Sequence, residues 1–266
     1  MAKQKGFIKL EGSLGGLTFY EQKGKSIVRT TGGVDKKRIE TDPAFKRTRE
    51  NMSEFGASAT IGKSLRIGFA SIIKSIGGTN IVGRIVKIIK RVNSVGTGLR
   101  GKRNFEFLPN KVLLEGFEFN LNAPLDAIFY APFDAPTLDA NRSIATWTVL
   151  DFNTNNFINA PEGATHFKLV LNTTVLSDYT YKNSLKVFEP VNEVENEVNG
   201  IAFSSEIALG GVVGADTTLT VDLGFVAALP STAAVISAIG IVFYQEINAQ
   251  FYELASDNAM RIDAVG

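Results

Sequence analysis

Near Arg103 two independent signals change together. Residues 1–103 hold 22 Lys/Arg against 7 Asp/Glu, a formal +15, while residues 104–266 hold 6 against 20, a formal −14. At the same point the spacing of apolar residues passes from three or four to two. A helical period cannot serve a strand, so the coincidence predicts an α+β chain whose two parts differ in both charge and secondary structure. Three regions follow: a small β-meander over 1–40, a basic helical hairpin over 41–103, and an acidic antiparallel β-sandwich over 104–266.

The first forty residues read as short strands. Phe7-Ile8-Lys9-Leu10 and Leu17-Thr18-Phe19-Tyr20 flank a turn rich in glycine (Gly12, Gly15, Gly16), and Ser26-Ile27-Val28-Arg29 follows Lys23-Gly24-Lys25. Asp42-Pro43 then opens a helix, with Asp42 as N-cap and proline where its missing N–H does no harm. Phe45, Met52, Phe55, Ala59, Leu65, Phe69, Ile72 and Ile76 recur at mostly helical steps. They predict one long amphipathic helix, or two with a break near Gly56 or Gly62, ending at Gly77-Gly78. A second helix is expected from Thr79 as N-cap to about Val95. Ile81, Val82, Ile85, Ile88, Ile89 and Val92 form its apolar face, and Arg84, Lys87, Lys90 and Arg91 the basic one.

Beyond Arg103 the alternation is that of strands: Phe105/Phe107, Val112/Leu114, Phe117/Phe119, then Ala145/Trp147/Val149 against Ile144/Thr146/Thr148, Phe167/Leu169/Leu171 and Leu219/Val221/Leu223. Turn signals separate them, and Phe243–Ile247, Asn248-Ala249 and Gln250–Leu254 read as a terminal hairpin. Such spacing without helical pattern predicts an antiparallel sandwich or barrel. Val191 to Gly200 carries Glu193, Glu195 and Glu197 at alternate positions. They read either as a cation site or acidic docking strip, or as an edge strand or loop whose charge prevents mispairing; the second is preferred.

Residue chemistry narrows the function classes. There is no cysteine, which removes disulfides and thiolate chemistry. The single histidine, His166, lies in an alternating run with no nucleophile motif to accompany it, and zinc sites need several His or Cys ligands. Gly12-Ser13-Leu14-Gly15-Gly16 and Gly62-Lys63-Ser64 lack the spacing and flanking elements of phosphate loops. Twenty acids in the β part could include a glycosidase pair, and Trp147 a sugar platform, yet no spacing selects a pair. No enzyme, metal or cofactor is therefore expected. The N-terminus lacks the apolar core of a signal peptide, and the longest apolar run, Thr232 to Tyr244, is too short to span a bilayer and suits a buried strand pair. The expected location is the cytoplasm, or a released particle.

Three explanations fit the basic part. Lys36-Lys37-Arg38, Lys46, Arg47, Arg49 and the Arg84/Lys87/Lys90/Arg91 face could hold nucleic-acid phosphates, or the second helix a membrane surface. Alternatively the basic part docks on an acidic surface, and this chain carries one of nearly equal and opposite charge. Near-equality follows only when the two kinds of face meet, within a chain or between copies. Between copies such contacts are heterologous and propagate into rings or filaments.

Certain stretches also carry a family resemblance. Lys5-Gly6-Phe7-Ile8-Lys9-Leu10-Glu11-Gly12, Leu17–Tyr20, Val28-Arg29 and Gly32-Gly33-Val34 resemble a group of uncharacterised Bacteroidota proteins. The most specific block runs from Arg38-Ile39 through Asp42-Pro43-Ala44-Phe45 and Arg47-Thr48-Arg49-Glu50-Asn51 to Glu54-Phe55-Gly56. Leu114–Asn120 and Tyr244–Asn248 are similar to later landmarks. The resemblance implies no activity and no site residue. In outline the architecture is similar to subunits of phage-tail-like or tubular particles, an analogy at the level of fold. The expectation is a non-catalytic subunit, its residues 1–40 an assembly arm, that joins copies of itself head to tail into a tube, filament or phage-like particle. Nucleic-acid binding or packaging is the alternative, and a carbohydrate-binding β-domain the third.

Overall fold

Two tight turns, Gly15-Gly16 and Lys23-Gly24, organise the first sheet. The computed structural model describes residues 2–78 and 80–266, so the N-cap expected at Thr79 lies outside the described residues. Strands β1 (Ala2–Lys3), β2 (Gly12–Leu14), β3 (Leu17–Gln22) and β4 (Lys25–Thr30) form an antiparallel sheet in the order β1-β4-β3-β2. Gly15 and Gly16, at φ 58° and 77°, make the β2–β3 turn in the left-handed region that glycine enters without strain. Phe7–Leu10, expected as a strand, is instead irregular, with Phe7 96% exposed. Gly12 pairs with Phe19, so the first arm of the hairpin begins after that apolar run.

Register sorts this sheet into two faces. Gly12 opposes Phe19, Leu14 opposes Leu17, and Phe19 opposes Val28, which puts Leu14, Leu17, Phe19 and Val28 on one face. The other carries Tyr20, Ile27 and Arg29, the guanidinium lying over the Tyr20 ring, with Thr18 hydrogen-bonded to Ser13 and Thr31 through hydroxyls. A short helix, α1 (Lys36–Thr41), follows. Asp42 caps the next turn as expected: its Oδ1 accepts from the Ala44 amide at 2.9 Å, with Pro43 at the first position. Arg49 donates to the Ile39 and Asp42 carbonyls at 2.6 and 2.9 Å, satisfying the end of α1.

The chain divides into two compact units, Met1–Arg49 and Glu50–Gly266. Charge and period change near Arg103, inside the second unit. There α2 (Lys46–Gly68), α3 (Ala70–Ile76) and α4 (Ile81–Val95) share one apolar cluster with strands from the far end of the sequence. Neither Gly56 nor Gly62 breaks α2; the interruption falls at Phe69. Gly62 and Gly68 are packing residues. A Cβ on Gly62 would lie 3.2 Å from the Ile85 side chain, and one on Gly68 2.1 Å from Thr174 Oγ1. The helix approaches α4 at the first and the sheet at the second.

After α4 the aromatic alternation does not yield strands. Leu108–Leu113 is a 3-10 turn, and Phe105, Phe107, Leu114, Phe117 and Phe119 are buried from irregular backbone. Pro109 removes a ladder donor, and the rings fill the space beneath the helices, Phe69 meeting Phe119 edge-on at 5.0 Å. Next come α5 (Leu125–Ile128), β5 (Thr137–Leu138), β6 (Ile144–Val149) and α6 (Thr154–Phe157). They are followed by β7 (His166–Ser177), β8 (Tyr179–Lys182), β9 (Val187–Pro190), β10 (Asn199–Phe203), β11 (Ile207–Ala208) and β12 (Thr217–Asp222). The last strands are β13 (Ala233–Ile247), β14 (Gln250–Glu253) and β15 (Ala259–Val265).

All described strand pairs are antiparallel, and with the helices they make an α+β fold. A six-stranded sheet has β10-β7-β13-β14 as its path, with β11 on β7 and β15 on β13; β12-β6-β5 form a three-stranded one. Thr232 to Tyr244, expected as a strand pair, lies almost wholly in the one long strand β13. The β13–β14 hairpin matches the sequence, turning at Asn248 and Ala249 with φ 53° and 62°. One face of the β7–β13 pair supplies Val170, Leu176, Ala234, Ile236 and Val242 to the helix cluster. The other supplies Phe167, Leu169, Ile239, Ile241 and Phe243 to a cluster with Trp147 of β6 and Leu219 of β12.

The glycine argument can be tested with two substitutions. Gly68→Ala forces helix and sheet apart and should lower stability by about 1–3 kcal/mol. Gly56→Ala, exposed and with nothing within 4 Å of its Cβ, should raise stability by roughly 0.5–1 kcal/mol. Urea denaturation of both variants measures the contrast.

Candidate functional site

Glu54 is a charge in the interior. Its residue is fully buried on α2, four positions before Ser58, where the apolar repeat had suggested Phe55. One carboxylate oxygen accepts from Lys90 Nζ at 2.5 Å and Arg103 Nη2 at 2.7 Å; the other accepts from Arg103 Nε at 2.9 Å and the Gly101 amide at 2.7 Å. Burial alone would raise the pKa, but Arg103, Lys90 and the Gly101 amide outweigh it and hold the group at about 2. Buried charges are tolerated when every lone pair is occupied, as here. No residue in the apolar pattern marks this site; the only sign in the sequence is that Glu54 is one of two acids, with Glu50, in a basic stretch.

Turning Glu54 inward turns its neighbours outward. Phe55 and Met52 are 60% and 59% exposed, and Ala59 is exposed too, so the first half of the expected apolar face points away from the core. Together with Val82, Gly83 and Val86 of α4, Phe55 and Ala59 line an open groove of about 700 Å³. Lys87, Lys90, Arg91 and Ser94 border it. The groove is apolar in its floor and basic along one wall.

The ten basic candidates separate by use. Arg84 donates to the Glu118 and Phe119 carbonyls and lies over the Phe117 ring, and Lys90 serves Glu54 and Asn93. Both are structural. Lys87 and Arg91 on the same helix are exposed. Of the others, Arg38 pairs with Asp42 at 3.1 Å and lies over Phe45, Lys36 approaches Glu40 at 3.8 Å, and Arg49 closes α1. Lys37, Lys46 and Arg47 are exposed.

Glu193, Glu195 and Glu197 fall in a turn over 191–198. Glu193 is exposed, Glu195 and Glu197 half-buried, and Val194 between them is 84% exposed. Side-chain amides hold the turn to the sheet. Asn196 accepts from the Ser177 amide and donates to Tyr179 Oη, each at 2.9 Å, while Asn192 donates to Thr232 Oγ1 at 2.7 Å.

Burial separates the two ring candidates, Trp147 and His166. Trp147 is 1% exposed, packed edge-on against Phe129 and Phe133, so its ring offers no platform to a sugar. His166 is the first residue of β7, paired with Ala208 on one side and Tyr244 on the other, near Glu246 (3.8 Å), with Nδ1 2.9 Å from Thr165 Oγ1 and Phe251 edge-on. Among the described residues no group of His, Asp and Glu could hold a metal ion. No described helix is long and apolar enough to cross a membrane. Comparison with protein-family models, with curated proteins and with solved structures finds no match.

Two carboxylates set opposite pH limits. Glu54, below its ordinary 4.5, contributes stability that is complete above that value and is lost as pH falls towards about 2. Glu118 is raised to about 7 by burial, opposed by the Leu125 amide and Arg261 and aided by Asp126 and Asp263. A raised carboxylate binds more protons folded than unfolded, so its contribution declines as pH rises from 4.5 through about 7. Asp178, at about 6 through burial, adds to the same decline. Glu54→Gln should therefore destabilise the neutral-pH protein by about 3 kcal/mol, because two cations lose their partner. Glu118→Gln should flatten the urea-midpoint profile between roughly pH 5 and 8, leaving the Asp178 share.

Proposed function

We propose that the chain is a non-catalytic structural subunit that assembles head to tail with copies of itself into a tube, filament or phage-like particle. The observation that carries this reading is the state of the N-terminal unit: every described residue of 2–49 is exposed or half-buried. Its sheet has an apolar face of Leu14, Leu17, Phe19 and Val28, and beside it Phe7, Ile8 and Leu10 are exposed. A sheet face of this kind is stable only against a second layer, and a neighbouring copy supplies one. Charge supports the same partner. Residues 1–49 hold 12 Lys/Arg against 5 Asp/Glu, a formal +7, and residues 50–266 hold 16 against 22, a formal −6. Opposed charges orient the contact while apolar area supplies affinity.

In this reading the six- and three-stranded sheets act as the two leaves of an acidic sandwich within 104–266, supported by the core they share around Trp147. The product is cytoplasmic or leaves as part of a particle. Nucleic acid is the competing partner for the exposed Lys37, Lys46 and Arg47, and a steep fall of affinity with salt would identify it.

Light scattering and negative-stain microscopy of the full-length protein test the proposal. The wild type should form particles whose mass grows with concentration. Leu14→Asp with Leu17→Asp, both exposed, should leave the fold intact and reduce association about tenfold or more. A wild type that is monomeric at every salt and concentration would end the reading.

A further inference from the structure

The groove between α2 and α4 requires an occupant with two properties. Its floor of Phe55, Ala59, Val82 and Val86 calls for an apolar side chain, and its wall of Lys87 and Arg91 calls for carboxylates beside it. Phe55 at 60% and Val82 at 47% exposure make it an apolar surface with nothing of the unit laid on it. Packing does not require Phe55 there, since Glu54 rather than Phe55 faces the core.

The turn over 191–198 has the complementary form. Val194 stands 84% exposed with Glu193 before it and Glu195 after it. The turn is stapled rather than loose: the Asn196 amide donates to the Asn192 carbonyl at 3.2 Å and the Val198 amide to Glu195 at 3.3 Å. The Glu197 amide donates to Val175 at 2.9 Å, and Asn192 N donates to Ser177 Oγ at 2.9 Å. A tip held in this way is ordered before it binds, which removes the loop-ordering share of the entropy cost of docking. Val194 contributes nothing to the core.

We infer that the Val194 turn of one copy inserts into the α2–α4 groove of the next, with Glu193 and Glu195 facing Lys87 and Arg91. The inference rests on the assembly reading and names a contact within it. Both features belong to the same unit, and the exposures of Val194 and Phe55 show that the turn does not occupy its own groove. Donor and acceptor are different surfaces, so the contact is heterologous: each copy has one free turn and one free groove, and the chain of contacts continues. The apolar knob anchors and the ion pairs set its orientation, the division of labour expected at a partly solvated rim.

The absence of cysteine makes the contact directly testable in the full-length protein. Val194→Cys and Ala59→Cys are both surface changes. Under mild oxidation a chain carrying both should give a ladder of covalent oligomers on denaturing gels. An equal mixture of the two single variants should stop at dimer, and each single variant alone should stay monomeric. Lys87→Glu with Arg91→Glu should weaken association about tenfold at low salt, and adding Glu193→Lys with Glu195→Lys should restore most of it. Particles that form normally while the double-cysteine chain yields no ladder would overturn this contact and leave assembly standing. A wild type that never associates would remove both. Cross-linking of a single variant with itself would replace the contact with a two-fold one and also overturn it.

Discussion

The β7–β13 pair is the constraint on which the second unit depends. Twelve residues of β7 pair in register from Ser177 opposite Ala233 to His166 opposite Tyr244. Both faces of this ladder are buried, one against helices from the start of the unit and one against β6 and β12. A register slip of one residue would exchange the two faces and present each core with the other's side chains. The polar residues in the ladder have partners that depend on the same register. Thr173 meets Ser237 at 3.1 Å, Asn172 donates to Ser71 at 3.1 Å, and Thr174 stands against Gly68. The helices are thereby keyed to one position on the sheet.

That keying explains the rotation of α2. Gly68 against Thr174 and Gly62 against Ile85 set which side of the helix touches its neighbours, and Glu54 lies on that side. A carboxylate there is stable only with Lys90, Arg103 and the Gly101 amide around it, so part of the basic charge is spent inside the protein. The consequence is an exposed apolar surface at Phe55 and Ala59. Fold stability and surface chemistry are linked at this point, since the same rotation that buries Glu54 opens the groove.

The charge division gains a sharper meaning from the units. Half of the cations on the α4 face serve the fold, Arg84 through carbonyls and Lys90 through Glu54, and the N-terminal unit retains a surplus of its own. That unit has an amphipathic sheet and no interior. The second unit has an interior and an excess of acid.

Much of this was legible in the sequence, and where it was not the reason is physical. Local rules were enough for the Asp42 cap with Pro43, the end of the helix at Gly77, the alternation of β6, and the Asn248-Ala249 hairpin, because each depends on residues close in sequence. Other features came only from contacts between distant residues. The apolar repeat placed Met52 and Phe55 inward, but Arg103 and Lys90 made it possible for Glu54 to take that place. Gly62 looked like a break and is a close approach, as is Gly68. Phe105 to Phe119 alternate like strands and are buried from irregular backbone, because apolar period records burial and not hydrogen bonding. The sequence alone determined the sign of each region's charge and the kinds of the elements that rest on local rules; tertiary packing decided which face of each element turns inward, and so which surface stays exposed, because burial depends on contacts between residues far apart in sequence.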